Sequence, residues 1–231
     1  MEVLHNKKDI RKEISKIAGP VFIELLLGTL FGMIDMMMLG NYGSASTQAA
    51  GIAAVGITNQ LMFIGLSLVQ SLNTGATAMV ARYLGAKRTD RIESVVKHIM
   101  ILTQVLLVVP ILILGLGYTV PVMKFLGAHS DTIAVGSGYF RVIMLGFVFQ
   151  AFNFSVVASL RGAGDTKTPM KINVTSNLLN VFGNAVLIYG LFGAPELGAT
   201  GAAISTASSH VIACFFLVRH IFRKDSTIHI N

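Results

Sequence analysis

Long apolar segments dominate this chain and limit what it can fold into. Six such stretches occur, separated by short polar loops, and crossing a hydrocarbon core of roughly 30 Å takes about 20 residues as a helix. The bilayer core offers no water to the backbone, so each stretch must bond its own amides as a helix. Of the 231 residues, 53% are hydrophobic and 13% are charged, against about 25% charged in soluble domains. The sequence therefore predicts an all-α integral membrane protein with six transmembrane helices.

The predicted helices divide the chain into one bundle and two polar ends. We expect a cytoplasmic N-terminal arm over residues 1–13, a six-helix unit over residues 14–223 and a cytoplasmic tail over residues 224–231. Glycines recur inside the helices, among them Gly28, Gly32, Gly56 and Gly201, and small residues allow membrane helices to approach closely. The predicted helices cover residues 14–39, 48–81, 93–116, 133–160, 168–189 and 198–222.

The basic residues predict the orientation. All of the 18 lysines and arginines except Lys124 and Arg141 fall in alternate loops and the helix ends beside them. Loops rich in lysine and arginine stay in the cytoplasm. We therefore expect a multi-pass protein of the plasma membrane with both termini in the cytoplasm. The net charge of +7 is then a topology signal that faces anionic lipid, and no nucleic acid partner is expected.

Helix 1 carries two carboxylates at membrane depth, Glu24 and Asp35. Such groups are costly in a bilayer and commonly mark functional sites. Eleven residues of helix turn through 1100°, about 20° from whole turns, so both lie on one face about 16 Å apart. Asp35 is predicted to bind and release a coupling cation; the alternative is that it lies at the wet end of helix 1 and only bonds another helix. Glu24 is either a second relay or a packing residue.

Helix 5 carries a stripe of four asparagines on one face, at offsets of 4, 7 and 11 residues. The stripe either bonds neighbouring helices or forms a polar cavity wall, and we favour the wall for the last two members. The predicted cation-coupling residues are Asp35, Asn180, Asn184 and Glu24, and the predicted substrate-cavity residues are Asn173, Asn177, Phe31 and Thr206.

Several kinds of chemistry have no sequence signal. The single cysteine, Cys214, can form neither an internal disulfide nor a cysteine metal cluster. The six histidines are scattered without metal-ligand spacing, and the sequence has neither a phosphate-binding loop nor a nucleophile elbow. We therefore predict no enzymatic activity, no metal site and no cofactor.

Several motifs together resemble the MATE (multidrug and toxic compound extrusion) family of exporters, over about residues 14–223. The most specific is Leu-Arg-Gly-Ala-Gly-Asp-Thr-Lys-Thr-Pro at residues 160–169. Helix 1 is also similar, with Pro20 followed by Gly-Thr-Leu-Phe-Gly-Met-Ile-Asp at residues 28–35. The other matching segments are residues 80–87, 180–190 and 198–206.

The resemblance implies a fold and an activity. MATE exporters have two six-helix lobes and expel organic cations and other amphipathic drugs in exchange for H⁺ or Na⁺, so this chain resembles the first lobe. In one branch, the cation site combines an aspartate that corresponds to Asp35 with an asparagine and an aspartate that correspond to Asn180 and Asn184. Asparagine at position 184 leaves that site with one carboxylate fewer.

The chain has about half the helices of a whole exporter, which leaves alternatives open. It is expected to pair with a second six-helix lobe or with another copy of itself. One alternative is a truncated, non-transporting half that needs a partner lobe. Another is a related flippase for lipid-linked precursors; such proteins tend to have a strongly basic cavity, and here only Arg141 is expected to reach one.

Overall fold

A computed structural model describes residues 7–223, apart from the side chains of residues 7–10, 13 and 47. The predicted tail, 224–231, and residues 1–6 of the predicted arm lie outside the described residues. Within the described part, all regular structure is helical. The helices are α1 (Lys7–Gly40), α2 (Ala45–Gly85), α3 (Thr89–Leu102), α4 (Val109–Gly117), α5 (Thr119–Phe125), α6 (Ser130–Gly162), α7 (Lys167–Tyr189) and α8 (Gly198–Ile221).

Five helical stretches in the described part are long and apolar enough to cross a membrane: Ile14–Gly40, Gln48–Gly85, Thr89–Gly117, Ser130–Gly162 and Gly198–Ile221. The sixth transmembrane helix is α7, which has 23 residues and reaches about 34 Å at 1.5 Å per residue. Its four asparagines lower its mean hydropathy. The prediction of an all-α, six-helix membrane bundle is confirmed.

Two predicted helices differ in detail from the structure. Helix α1 begins at Lys7, so residues 7–13 continue the first helix; the sequence there contains neither proline nor glycine to end it. The third predicted helix contains a π-helical segment, Thr103–Val108, between α3 and α4. Pro110 follows directly at the start of α4, and its missing N–H interrupts the regular α-helical bonding there.

Helix α6 lies at the centre of the bundle and packs against α2 and α8, while α8 also packs against α7. Phe140, Met144 and Phe147 of α6 are fully buried. Lipid is as apolar as these side chains, so the bundle is held by close packing and interhelical hydrogen bonds rather than by transfer out of water. Helix α1 is peripheral, and its main neighbour is α7.

The glycines fall into two groups, and only one group allows the close packing predicted for them. A Cβ at Gly201 would collide with the carbonyl oxygen of Leu187, so α8 and α7 approach there through backbone. A Cβ at Gly28, Gly32 or Gly56 would meet nothing within 4 Å. No other helix approaches closely at these three positions, so the prediction of close packing is wrong there.

Candidate cation and substrate cavity

A cavity of about 560 Å³ opens between α1, α6, α7 and α8, with one residue of α2 in its wall. Both carboxylates of the first transmembrane helix, Glu24 and Asp35, line it. Gly28 and Gly32 lie between them on the same wall, and their missing side chains leave this part of the cavity open. The volume falls within the roughly 300–1,000 Å³ usual for small-molecule sites.

Asp35 is the centre of a polar cluster at one end of the cavity, which we call the Asp35 cluster (Asp35, Asn180, Asn184, Ser205 and Thr206). The amide nitrogen of Asn184 donates to Asp35 Oδ1 at 2.7 Å. Asn184 is fully buried behind the cavity wall, and its own side-chain oxygen has no hydrogen-bond partner. The carboxylate is thus held by α7 and still borders the cavity.

The side-chain amide of Asn180 faces the other oxygen of the same carboxylate. Its nitrogen donates to Asp35 Oδ2 at 3.0 Å, and its oxygen accepts from the backbone N–H of Thr206 at 3.1 Å. The amide oxygen also lies 3.2 Å from the hydroxyl oxygens of Ser205 and Thr206. This orientation satisfies both ends of the amide, because the opposite one would set its N–H groups against the N–H of Thr206.

The second carboxylate forms a separate group at the other end of the cavity, which we call the Glu24 cluster (Glu24, Arg161 and Asn173). Arg161 Nη2 lies 2.9 Å from Glu24 Oε1, and the amide nitrogen of Asn173 donates to the same oxygen at 2.7 Å. No contact in the described part of the chain links Glu24 to the Asp35 cluster. Glu24 therefore does not supply the carboxylate that Asn184 lacks.

The remaining predicted cavity residues are distributed around the same space. Asn173, Asn177 and Asn180 line it from α7, Phe31 lines it from α1, and Thr206 lines it from α8. Asn173 and Asn180 both border the cavity and bond other helices through their side-chain amides. Asn184, for which a place in the cavity wall was also expected, bonds Asp35 from outside the cavity lining.

Arg161 is the cavity residue that sequence reasoning missed, because it was counted as part of a cytoplasmic loop. Helix α6 continues to Gly162, so Arg161 lies on its last turn and points inward to Glu24. Arg141, expected as the basic residue able to reach a cavity, instead donates from Nε to Thr119 Oγ1 at 3.3 Å and does not line the cavity. Among the described residues, the one arginine in the cavity wall is paired, so the strongly basic cavity of a flippase is not found there.

Other polar groups of the wall also had no assigned role in the sequence. Asn153 and Ser176 are more than nine-tenths buried, line the cavity, and have side-chain oxygens without partners. The imidazole of His210 borders both this cavity and a smaller one of about 240 Å³. Within the described residues, no group of three or more histidine, cysteine, aspartate or glutamate side chains is placed to hold a metal ion.

Residues 20–186 match the sequence model of the MatE family. The chain belongs to this family. The match covers well over half of the 231 residues and includes the larger part of α1, most of α7 and all the helices between them. The membership expected from the sequence motifs is therefore confirmed.

Curated MatE relatives match nearly the whole chain. A probable multidrug resistance protein, NorM, from Thermotoga maritima is 31% identical over 217 residues, which is 94% of this chain and 46% of that protein. The probable multidrug resistance protein YoeA from Bacillus subtilis is 28% identical over 95% of this chain and 46% of its own length. This MatE chain thus spans about half the length of the curated relatives it matches.

Solved structures show the same relationship. An outward-facing multidrug resistance MATE family transporter matches with a TM-score of 0.82 and 27% identity, over 95% of this chain and 47% of that one. The MATE multidrug transporter DinF-BH, solved as a ligand complex, matches with a TM-score of 0.86 at 23% identity over 97% of this chain and 48% of that one, which shows the fold. Since these transporters have twelve helices, the chain corresponds to one six-helix lobe.

Proposed function

We propose that this chain is the first lobe of a cation-coupled multidrug efflux antiporter that exports organic cations and other amphipathic drugs in exchange for H⁺ or Na⁺. The observation that carries the proposal is Asp35, a carboxylate that borders a cavity of about 560 Å³ and is bonded by Asn184 and Asn180. The names of curated relatives, which describe multidrug resistance proteins, support the same function.

Proton coupling would use the two amide contacts of Asp35. An ionised Asp35 accepts hydrogen bonds from Asn184 at 2.7 Å and from Asn180 at 3.0 Å. When Asp35 binds a proton, the negative charge that strengthens both hydrogen bonds is lost. The ion thereby changes the contacts between α1 and α7, and a ligand shifts a two-state equilibrium only through such differential contacts.

Sodium coupling would use the oxygens of the same cluster. Hard cations prefer carboxylate, carbonyl and hydroxyl oxygens, and Asp35, Asn180 and Thr206 supply one of each kind. In either case, Asp35 takes up the coupling ion and no further cofactor is needed. Glu24, in a separate cluster, is left free for another role.

A second six-helix lobe, or another copy of this chain, would complete the path for the drug. We infer that the whole assembly lies in the plasma membrane with both termini of this chain in the cytoplasm, as the positions of the basic residues indicate. The alternative, a half that does not transport without its partner lobe, follows from the half-length coverage of its relatives.

Dye efflux tests the proposal. Ethidium export would be measured in pump-deficient bacterial cells that express the chain, its Asp35→Asn variant and, as a matched control, Asp131→Asn, which removes an exposed carboxylate at the start of α6. We expect export by the unmodified chain and by Asp131→Asn, and none by Asp35→Asn at equal membrane levels. Export by Asp35→Asn at the unmodified rate would contradict the coupling role. If no version exports dye, the chain is not a transporter by itself, and the assay is repeated with a partner lobe.

A further inference from the structure

The ion pair of the Glu24 cluster is incomplete. Arg161 Nη2 and the amide nitrogen of Asn173 both bond Glu24 Oε1, while Glu24 Oε2 is buried without a hydrogen-bond partner. Arg161 Nε is likewise buried and unpaired. A bidentate arginine–carboxylate pair would use both carboxylate oxygens. The pair observed here therefore leaves one acceptor of Glu24 available to another donor.

The surroundings of the pair allow a ligand to approach it. Glu24 and Arg161 both line the cavity, and the Arg161 side chain is 29% exposed compared with 11% for Glu24. A long, partly solvated arginine can move its guanidinium while its stem stays in contact with apolar surface. Beyond Glu24, the wall toward Asp35 includes Gly28 and Gly32, where an added Cβ would meet nothing within 4 Å.

We propose that Glu24 binds the positively charged group of the cargo, an organic ammonium or iminium cation, and that Arg161 is an internal counter-ion which the cargo displaces. The proposal rests on the export function proposed above and gives that function a separate site for its cargo. Asp35 and Glu24 lie about 16 Å apart along α1, so the coupling ion and the charge of the cargo bind different carboxylates of one cavity. The glycine wall between them holds the apolar body of the cargo.

The proposed role of Arg161 and a purely structural role predict opposite effects of its removal on cation binding. If Arg161 competes with the cargo for Glu24, its removal leaves an uncompensated carboxylate in the cavity and cation binding becomes tighter. If the pair only joins α1 to α6, removal of either partner loosens the cavity and weakens binding of any ligand. The two partners would then behave alike.

Ethidium binding to the purified chain in detergent tests the proposal, by dye fluorescence at fixed pH and without sodium. We expect Glu24→Gln to weaken binding by about tenfold or more, as for a lost charge-assisted contact, and Arg161→Gln to tighten it by several-fold. Arg161→Lys keeps the charge and should bind as the unmodified chain does. Arg91→Gln, which removes an exposed arginine, is the control for loss of a positive charge elsewhere.

A double variant, Glu24→Gln with Arg161→Gln, keeps the test decisive even where Arg161→Gln does not fold. It leaves no unpaired charge, and we expect it to bind ethidium as weakly as Glu24→Gln alone. Unchanged affinity in the Glu24→Gln or the double variant would overturn the proposal. Weaker binding by folded Arg161→Gln, with an unchanged elution profile, would also overturn it.

Failure of this proposal can be distinguished from failure of the proposed function. The effect of added sodium, or of a pH change, on ethidium binding reports on Asp35 when it is measured with Glu24→Gln as the background, whereas affinity at fixed pH without sodium reports on Glu24. An ion response that Asp35→Asn removes, together with unaltered affinity in the Glu24 variants, would leave the export function standing and reject the cargo site. Altered affinity in the Glu24 variants with an ion response that survives Asp35→Asn would reject the coupling site alone.

Discussion

Asn184 of α7 donates a hydrogen bond of 2.7 Å to the carboxylate of Asp35 on α1. Eleven residues earlier on each helix, Asn173 donates to Glu24, also at 2.7 Å. Eleven residues are close to three whole helical turns, so the same faces of two parallel helices meet twice. The peripheral helix α1 is thus joined to α7 by asparagine–carboxylate bonds at both ends of the cavity, with Gly28 and Gly32 between them.

The Asp35–Asn184 contact predicts the effect of restoring a second carboxylate. Asn184→Asp would place a second carboxylate in direct contact with Asp35, where two negative charges strongly favour a shared proton or cation. We expect sodium or proton binding to become tighter by about tenfold or more, measured by isothermal titration of the purified chain. Asn177→Asp, about two turns away on the same face of α7, is the matched control and should have a smaller effect. Equal effects of the two changes would show that the contact with Asp35 does not matter.

The two groups of glycines predict opposite effects of the same substitution on stability. Gly28→Ala should raise the free energy of unfolding by about 0.5–1 kcal/mol, because its Cβ meets open space and alanine is the better helix former. Gly201→Ala should lower it by about 1–3 kcal/mol, because its Cβ meets the carbonyl oxygen of Leu187. Thermal unfolding in detergent measures both, and a stabilised Gly201→Ala would be inconsistent with the close approach of α7 and α8.

The open wall between the carboxylates predicts a size limit on the cargo. Gly32→Leu would place a bulky side chain in the cavity wall, starting from a Cβ that meets nothing within 4 Å, and we expect a large xanthene dye cation to lose about tenfold in affinity. A small cation such as tetramethylammonium should lose much less. Gly56→Leu is the matched control, because an added Cβ there also meets open space and Gly56 does not line the cavity. Equal losses for both cations would argue against a steric effect.

The first turn of α7 depends on a side chain in the preceding loop. Asp165 Oδ1 accepts a hydrogen bond from the backbone N–H of Thr168 at 3.0 Å, one of the amides that a helix start leaves unpaired. Asp165→Ala should lower the free energy of unfolding by about 1 kcal/mol, measured by thermal or chemical unfolding. Asp165→Asn keeps an acceptor and should cost less; a larger cost for asparagine would point instead to the contact of Asp165 with His220, at 3.6 Å.

Much of the helical bundle could be predicted because membrane crossing depends on local composition. Apolar runs, their lengths and the loops between them are sequence properties, and the backbone has no alternative to a helix in lipid. The prediction was less accurate where helix regularity depends on one residue, as at Pro110, where a π-helical segment precedes α4. It also placed the start of α1 too late, because a helix can continue past the apolar run that identifies it.

Local sequence was enough to assign the class of fold, the family, and the faces on which Glu24, Asp35 and the α7 asparagines lie, because helical periodicity places each residue on a side of its own helix. Which of these faces meet became known only from the packed bundle. There Asn184 joins Asp35 and Arg161 joins Glu24 across 149 and 137 residues, and Gly28 and Gly32 face a cavity rather than a helix. Periodicity carries no information about partners on other helices, since those contacts depend on how all six helices pack together.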